Sequence, residues 1–245
     1  RVQAVAHSGG LAHTLAEYAG GILRKADHAT QLFKLKYEEG GGALRLPEFM
    51  RPEGLMDSVL PLALKLPVAL IDKDGNVRGS AHQFRRDKAD LDALIESLAD
   101  HASDTAQFST PLLDPDSGQW LIQVARRLND RDGKFAGAIV IMIDPRVFVD
   151  DYDRLNLDDD GAIMLMNPGA QLVVGRAGER VFVGKQPQFS AADEPGRQAD
   201  EVVPDTPLDK VPRIYSYREM PRYSLVAVVG IPERSKMNTF EQHRS

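Results

Sequence analysis

The best metal lookalikes in the chain are three acidic turns, Asp72-x-Asp74, Asp114-x-Asp116 and Asp130-x-Asp132-Gly133. They superficially resemble a calcium loop, which carries a bidentate Glu at its twelfth position. Counting twelve from each first Asp reaches Gln83, Ala125 and Ile141, none of them a carboxylate. Asp, Asn and Gly are also what tight hairpin turns require on steric grounds, so turns are expected here and no metal site. Six histidines, at 7, 13, 28, 82, 101 and 243, are scattered, and His7 and His13 do not share a helix face at ligand spacing. No Gly-x-x-x-x-Gly-Lys-Ser/Thr, Gly-x-Gly-x-x-Gly, Gly-x-Ser-x-Gly or His-Glu-x-x-His pattern occurs. The common phosphate, dinucleotide, serine-hydrolase and zinc-protease signatures are therefore missing, and no catalytic residue or cofactor is expected.

The elements that carry these residues are bounded by composition. A chain of 245 residues makes one large domain or two small ones, and 42% hydrophobic content supports a packed core. The net charge is only −6 with no block of either sign, which argues against nucleic-acid partners. With no cysteine there is no disulfide framework, thiolate site or cysteine nucleophile, which suits an oxidising compartment. No run of apolar residues reaches the roughly 18 that a membrane span requires. The chain starts at Arg1 and ends inside what reads as a helix, so it is expected to be a part of something longer.

Leu11, Leu15, Tyr18, Ile22, Ala29 and Leu32 recur at helical steps and predict a long N-terminal helix over residues 1–45, ended by Gly40, Gly41 and Gly42. A short helix is expected from Gly54 to Leu64, and a third after Asp87 with Leu91, Leu94, Ile95 and Leu98 on its apolar face. Strands are expected at Val68–Ile71 and Val77–His82, at Gln107–Leu113 and Trp120–Leu128, and at Phe135–Ile143. Pro145 to Leu155 reads as a helix leading out of this unit, residues 46–155. A smaller unit, residues 156–231, repeats the strand scheme at Ala162–Met166, Gln171–Val174, Val181–Val183, Arg213–Met220 and Tyr223–Ile231. Gly184 to Pro212 reads as a long loop with at most a short helix, Asp158-Asp159-Asp160 as a solvated linker, and 232–245 as a C-terminal helix. The fold class is α+β, with two antiparallel sheets.

Trp120 to Asp144 carries a strand ending in Arg-Arg-Leu-x-Asp, a turn Asp-Gly-x-Phe-x-Gly and a final strand closing on an acid. This resembles the last two strands of a Cache domain. Ala69-Leu70-Ile71-Asp72-Lys73-Asp74-Gly75 followed by Ser80-x-His82 is similar to that family's first hairpin. With the long helix and the second strand-rich unit, the likeness is to a double Cache (PAS-like) sensor and covers nearly the whole chain. It implies a larger, membrane-distal unit, a smaller membrane-proximal one, and a periplasmic or extracytoplasmic location. Such domains sit between two membrane spans of bacterial histidine kinases, diguanylate cyclases or chemoreceptors, so a span is expected on either side. Amino-acid-binding members of the family carry a Tyr, an Arg-x-Trp and further aromatics between the second and third strands. Here the segment Phe84 to Ala106 contains no Trp or Tyr, which makes amino acids a poor match for the ligand.

Strand alternation divides the fifth strand into Ile139, Ile141 and Ile143 on one face, and Ala138, Val140, Met142 and Asp144 on the other. Pairing Leu128 with Phe135 places Leu121, Gln123, Ala125 and Arg127 with Asp144. The same logic across the preceding turn adds Phe108, Thr110 and Leu112. That face is apolar at its walls, with Thr110, Gln123 and Asp144 as polar points, the make-up of a small-molecule pocket. Ser80 and His82 close one side, and Phe84 to Ala106 forms a lid. The ligand-binding residues expected are Asp144, Gln123, Thr110, His82, Ser80, Phe108, Leu121 and Met142. Asp144 equally suits a cap on the helix beginning at Pro145.

Three functions compete: a ligand-sensing module, a structural or dimerising ectodomain with no small ligand, and an enzyme without a known signature. The N-terminal stripe either pairs with a second copy in a homodimer or packs on the chain's own sheets.

Overall fold

The computed structural model describes residues 2–51, 66–100, 103–114, 118–150, 155, 157, 160–169, 172–184, 202, 203, 208, 209 and 211–232. The helix expected over Gly54 to Leu64 and the one expected after Pro232 lie outside them. Contacts divide the chain into two units, residues 22–144 and residues 1–21 with 145–245. The N-terminal helix α1 (Val2–Glu39) contributes to both and is not a body of its own.

In the first of these units α1 ends where the glycines stop it. Gly41 and Gly42 adopt φ of 66° and 92°, and the Gly42 N–H donates to the Tyr37 carbonyl at 2.9 Å. After a single turn of helix, α2 (Leu46–Phe49), come β1 (Val68–Asp72), β2 (Val77–Ala81), α3 (Lys88–Asp100), β3 (Gln107–Phe108), β4 (Leu112–Leu113), β5 (Trp120–Asn129) and β6 (Phe135–Ile143). They form one sheet in the order β2-β1-β6-β5-β3, with β4 also pairing β5, and every pairing is antiparallel. The acidic segments are turns: the Asp72 carboxylate accepts from the N–H groups of Asp74 and Asn76, and Asp130 does the same for Asp132 and Lys134. Among the described residues no group of His, Asp and Glu is placed to hold a metal ion.

Two expectations are corrected. The buried seam of α1 is Ala12, Leu15, Ala16, Ala19, Leu23, Ala26, Ala29 and Phe33, whereas Leu11, Tyr18, Ile22 and Leu32 are only partly buried at its flank. Alanines mark the seam because small side chains let the helix backbone lie close to what it packs on. The second correction is that Gln107–Leu113 is not one strand. Phe108 pairs with Val124 but Leu112 pairs with Leu121, a slip of one residue across Ser109-Thr110-Pro111. Pro111 has no N–H to give to a ladder, and beside this break the Gln123 N–H donates to the Ser109 hydroxyl, at 2.9 Å.

The second unit is a sheet in the order β10-β11-β12-β7-β8-β9: β7 (Ala162–Met166), β8 (Leu172–Ala177), β9 (Arg180–Val183), β10 (Val202–Val203), β11 (Arg213–Met220) and β12 (Leu225–Pro232). The expected loop thus contains a short strand, β10, paired to β11. The expected helix after Pro145 is a 3₁₀ turn, Pro145–Phe148, within the described residues. Ser8 of α1 hydrogen-bonds Ser216 of β11 at 2.6 Å, and Tyr18 donates to the Val147 carbonyl at 3.3 Å. Buried Arg213 is held by a bidentate pair with Asp209, both bonds 2.6 Å, and by the Asp160 carbonyl at 2.5 Å. No described helix is long and apolar enough to cross a membrane.

Gly137 sits in β6 between Leu128 and Asp72 at a φ of 142°, and a Cβ there would overlap the Ile71 carbonyl oxygen. The obstacle is backbone in a central strand, which cannot swing away. Gly137→Ala is expected to cost roughly 2–3 kcal/mol, read as a lower urea midpoint with an unchanged slope.

Candidate functional site

The sheet of residues 22–144 has two chemically distinct faces, and strand register assigns each side chain to one of them. Ile122 pairs with Ile143, Val124 with Ile141 and Arg126 with Ile139. This face is turned to α1, because the Arg126 guanidinium bonds Asp27 and Thr30 of that helix. The hairpin pairing is offset by two residues from the expected one, since Leu128 faces Gly137 rather than Phe135. An even offset preserves the faces, so Gln123 and Met142 are neighbours on the opposite side, with Ala125, Val140 and Leu121 beside them.

That opposite face is covered by α3. The helix begins as Leu91 N–H donates to the Asp87 carbonyl. Lys88 reaches from it to the Asp74 carbonyl at 2.8 Å and to Asp92. Leu91, Ile95 and Leu98, at helical spacing, are buried with Phe84 against Ala69, Ile71, Ala125, Ala138, Val140 and Met142. Each such side chain contributes about 1.5–3 kcal/mol of burial, which holds the helix down on the sheet. At its far end Ser97 donates to Gln107 Oε1 at 3.4 Å.

One row of this face crosses five strands: Ser80 is opposite Ala69, Ala69 opposite Val140, Val140 opposite Ala125, and Ala125 opposite Gln107. At strand spacing the row is about 19 Å long. It is polar at both ends and built of small apolar side chains in between. Ser80, Gln123, Leu121 and Met142 therefore share the face expected of them. Phe108 does not. It pairs with Val124, so the slip at 109–111 puts it on the side of α1, and Gln107 takes its place. Thr110 is exposed in the irregular link between β3 and β4. His82 is exposed just past β2 and, like Gln83, has a positive φ, 57° and 56° respectively. Asp144 is half-buried immediately beyond β6, where the 3₁₀ turn begins.

Two groups escaped the sequence reading. Arg86, two residues beyond the buried Phe84, has a side chain only 6% exposed; its Nη2 donates to Asp90 at 2.7 Å, while its Nε is buried with no hydrogen-bond partner among the described residues. Its signal in the sequence is slight, because Arg85-Arg86 looks like any charged approach to a helix. Arg126 is the other. It reads as one of a pair of strand arginines, yet its side chain is 1% exposed and bonded to Asp27, Thr30 and Asp104.

Solved structures of similar shape place this architecture among known ones. The extracellular domain of rpHK1S-Z16, assigned as a histidine kinase, superposes with a TM-score of 0.72 at 23% identity, covering 96% of this chain and 97% of that one. The chain has the fold of extracellular sensor domains. The ligand-binding domain of the Pseudomonas fluorescens chemoreceptor CtaA, in complex with L-isoleucine, gives 0.60 at 13% identity over 94% of this chain and 90% of that one. The sensor domain of the V. cholerae histidine kinase DctB gives 0.57 at 14% identity over 94% and 97%. No protein-family model and no curated protein sequence matches the chain. The Cache resemblance drawn from the sequence thus holds at the level of fold.

Electrostatics near the site yield a test. Burial raises the Asp104 carboxyl, but the hydrogen bond and charge of Lys34 and those of Arg126 outweigh it and hold the group below its ordinary 3.8. Burial likewise raises Asp72, and the N–H and side-chain bonds from Asn76, Arg78 and Asp74 bring it below the same value. A depressed carboxylate stabilises the fold above its unfolded value and loses that contribution as pH falls through its folded one. Stability is therefore expected to decline on acidification below about pH 4–5, and Asp104→Asn to decline less steeply over that window, as read by urea denaturation at a series of pH values.

Proposed function

We propose that the chain is the ligand-sensing ectodomain of a membrane-tethered receptor, and that it takes a small molecule between α3 and the sheet of residues 22–144. The observation that carries this reading is the row from Ser80 through Ala69, Val140 and Ala125 to Gln107, lying under an amphipathic cover helix. The small floor residues are covered by Leu91, Ile95 and Leu98, so a ligand would enter as α3 lifts, with the polar ends of the row to orient it. The fold shared with sensor domains supports the same reading. Asp144, Gln123, Ser80, Met142 and Leu121 are proposed to contact the ligand, His82 and Thr110 to border its entrance, and Gln107 to replace Phe108.

The ligand class follows from the charge. The Arg86 guanidinium, paired with Asp90 and with an Nε that has no partner among the described residues, favours an anionic group, and the floor favours a compact apolar body. Small carboxylates meet both demands. In the full-length protein, spans on both sides would place the domain on the extracytoplasmic side and pass its signal to a cytoplasmic kinase, cyclase or methyl-accepting region. The partly buried flank of α1, Leu11, Tyr18, Ile22 and Leu32, is the surface proposed for a second copy; a monomer at high concentration in sedimentation would remove the dimer and leave the sensor standing.

A second reading, a structural ectodomain that binds nothing small, is favoured by the closed apolar packing of Phe84, Leu91, Ile95 and Leu98 on the sheet. A thermal-shift screen of small carboxylates and neutral metabolites, with L-isoleucine included because the CtaA domain holds it, separates the two. A carboxylate hit at 100 times its Kd is expected to add about 2.7 kcal/mol of stability. Arg86→Met is expected to weaken that hit by tenfold or more. Unchanged affinity in the Asp144→Ala, Gln123→Ala double variant would show the site to be elsewhere, and a screen without any hit would favour the structural reading.

A further inference from the structure

We propose that Asp104 is a clasp that couples the state of the cover helix α3 to α1, on the opposite side of the sheet. The significance of the coupling for signalling rests on the reading of α3 as the cover of a ligand site.

Asp104 lies four positions past the end of α3 and three before β3, so it stands where the cover segment rejoins the sheet. Its carboxylate accepts from Lys34 Nζ at 2.7 Å, and Lys34 is a residue of α1 with a side chain only 10% exposed. The same carboxylate accepts from Arg126 Nη1 at 3.1 Å, and the Asp104 carbonyl accepts from that nitrogen as well. Arg126 in turn bonds Asp27 and, at 3.0 Å through its Nε, the Thr30 hydroxyl of α1. One side chain and one carbonyl of the cover segment are thereby joined to three residues of α1 on consecutive turns, Asp27, Thr30 and Lys34.

The arrangement has a mechanical consequence. The Asp104 side chain is 65% exposed, so its bonds are the ones water can replace, while Asp27 and Arg126 are 5% and 1% exposed and stay paired. Displacing α3 from the sheet pulls on Asp104 and leaves Lys34 with only Glu38 of its own helix, at 3.6 Å, and Arg126 with Asp27 and Thr30. Arg126 also adjoins Ala125, a floor residue whose side chain points the other way, so β5 touches the cover cluster and the clasp with successive residues. Asp27, Thr30 and Lys34 belong to the same unbroken helix that runs back to Val2, so a change in its footing at 27–34 acts on that helix.

Hydrogen exchange read by mass spectrometry on the 245-residue chain tests this without a ligand. Leu98→Ala loosens α3, and Asp104→Asn removes the charge of the clasp while leaving the carbonyl bond to Arg126. If the clasp couples the two helices, Leu98→Ala speeds exchange in residues 88–100 and also, by about fivefold or more, in residues 27–39. In the Asp104→Asn background the effect on 88–100 persists and the effect on 27–39 falls to about twofold or less. A merely structural Asp104, or a shared global unfolding, gives effects on 27–39 that multiply in the double variant, and that result would overturn the proposal. So would an α1 that ignores Leu98→Ala from the start. Lys34→Met, which keeps the Asp27–Arg126 pair and removes only the Lys34 arm, serves as the second weakening of the clasp should Asp104→Asn fail to fold, with the effect on 27–39 again expected to fall. Since no ligand is needed, loss of the coupling leaves the sensor reading intact, and a failed ligand screen leaves the coupling measurable.

Discussion

A guanidinium buried in the middle of a hydrophobic sheet face is the constraint around which residues 22–144 are organised. Arg126 shares its face with Ile139, Ile141, Val124 and Ile122, and removing its charge from water costs several kcal/mol unless every donor is met. The partners come from α1, through Asp27 and Thr30, and from the segment after α3, through Asp104. Satisfying one charge therefore sets the rotation of a helix and the course of a connection. It accounts for the buried seam of α1: turning the helix so that Asp27 and Thr30 face Arg126 brings Leu23, Ala26, Ala29 and Phe33 inward and leaves Ile22 and Leu32 at the flank.

The opposite face of the same sheet obeys a different rule. Its sheet floor carries no buried charge and is mostly alanine and valine, so its shape is decided by what lies on top. An amphipathic helix supplies the cover, pinned at one end by Lys88 on the Asp74 carbonyl and at the other by Ser97 on Gln107. These pins are exposed polar contacts worth little beside the burial of Leu91, Ile95 and Leu98, so the cover is held by apolar area and aligned by hydrogen bonds. Moving such a cover costs the burial of its apolar side chains, whereas moving α1 would in addition uncover a buried charge.

The region of β3 and β4 shows how one residue redirects a site. Pro111 cannot donate to a ladder, the strand breaks, and pairing resumes with a slip of one position. Leu112 stays with Leu121, Phe108 crosses to the far face and Gln107 comes to the near one. An even slip, as in the β5–β6 hairpin, changes partners and preserves faces; an odd one exchanges them.

Local pattern alone determined the α+β class, the helix stopped by Gly41 and Gly42, the hairpin turns at Asp72 and Asp130, the apolar face of α3, and the division of β6 into two faces. These depend on steric demands of single turns and on periodicities of 2 and 3.6, which neighbouring residues carry by themselves. The likeness of Trp120 to Asp144 to a Cache domain was legible for the same reason, since order and spacing are properties of the chain. Tertiary structure alone decided that Arg126 is buried while its neighbour Arg127 is not, that alanines form the seam of α1 more than the leucines do, and that Phe108 and Gln107 exchange roles. Each of these depends on a partner distant in sequence: Asp27 for Arg126, the strand β5 for Phe108. A charge reads as exposed until the chain brings its counter-charge to it, and no local pattern contains that meeting.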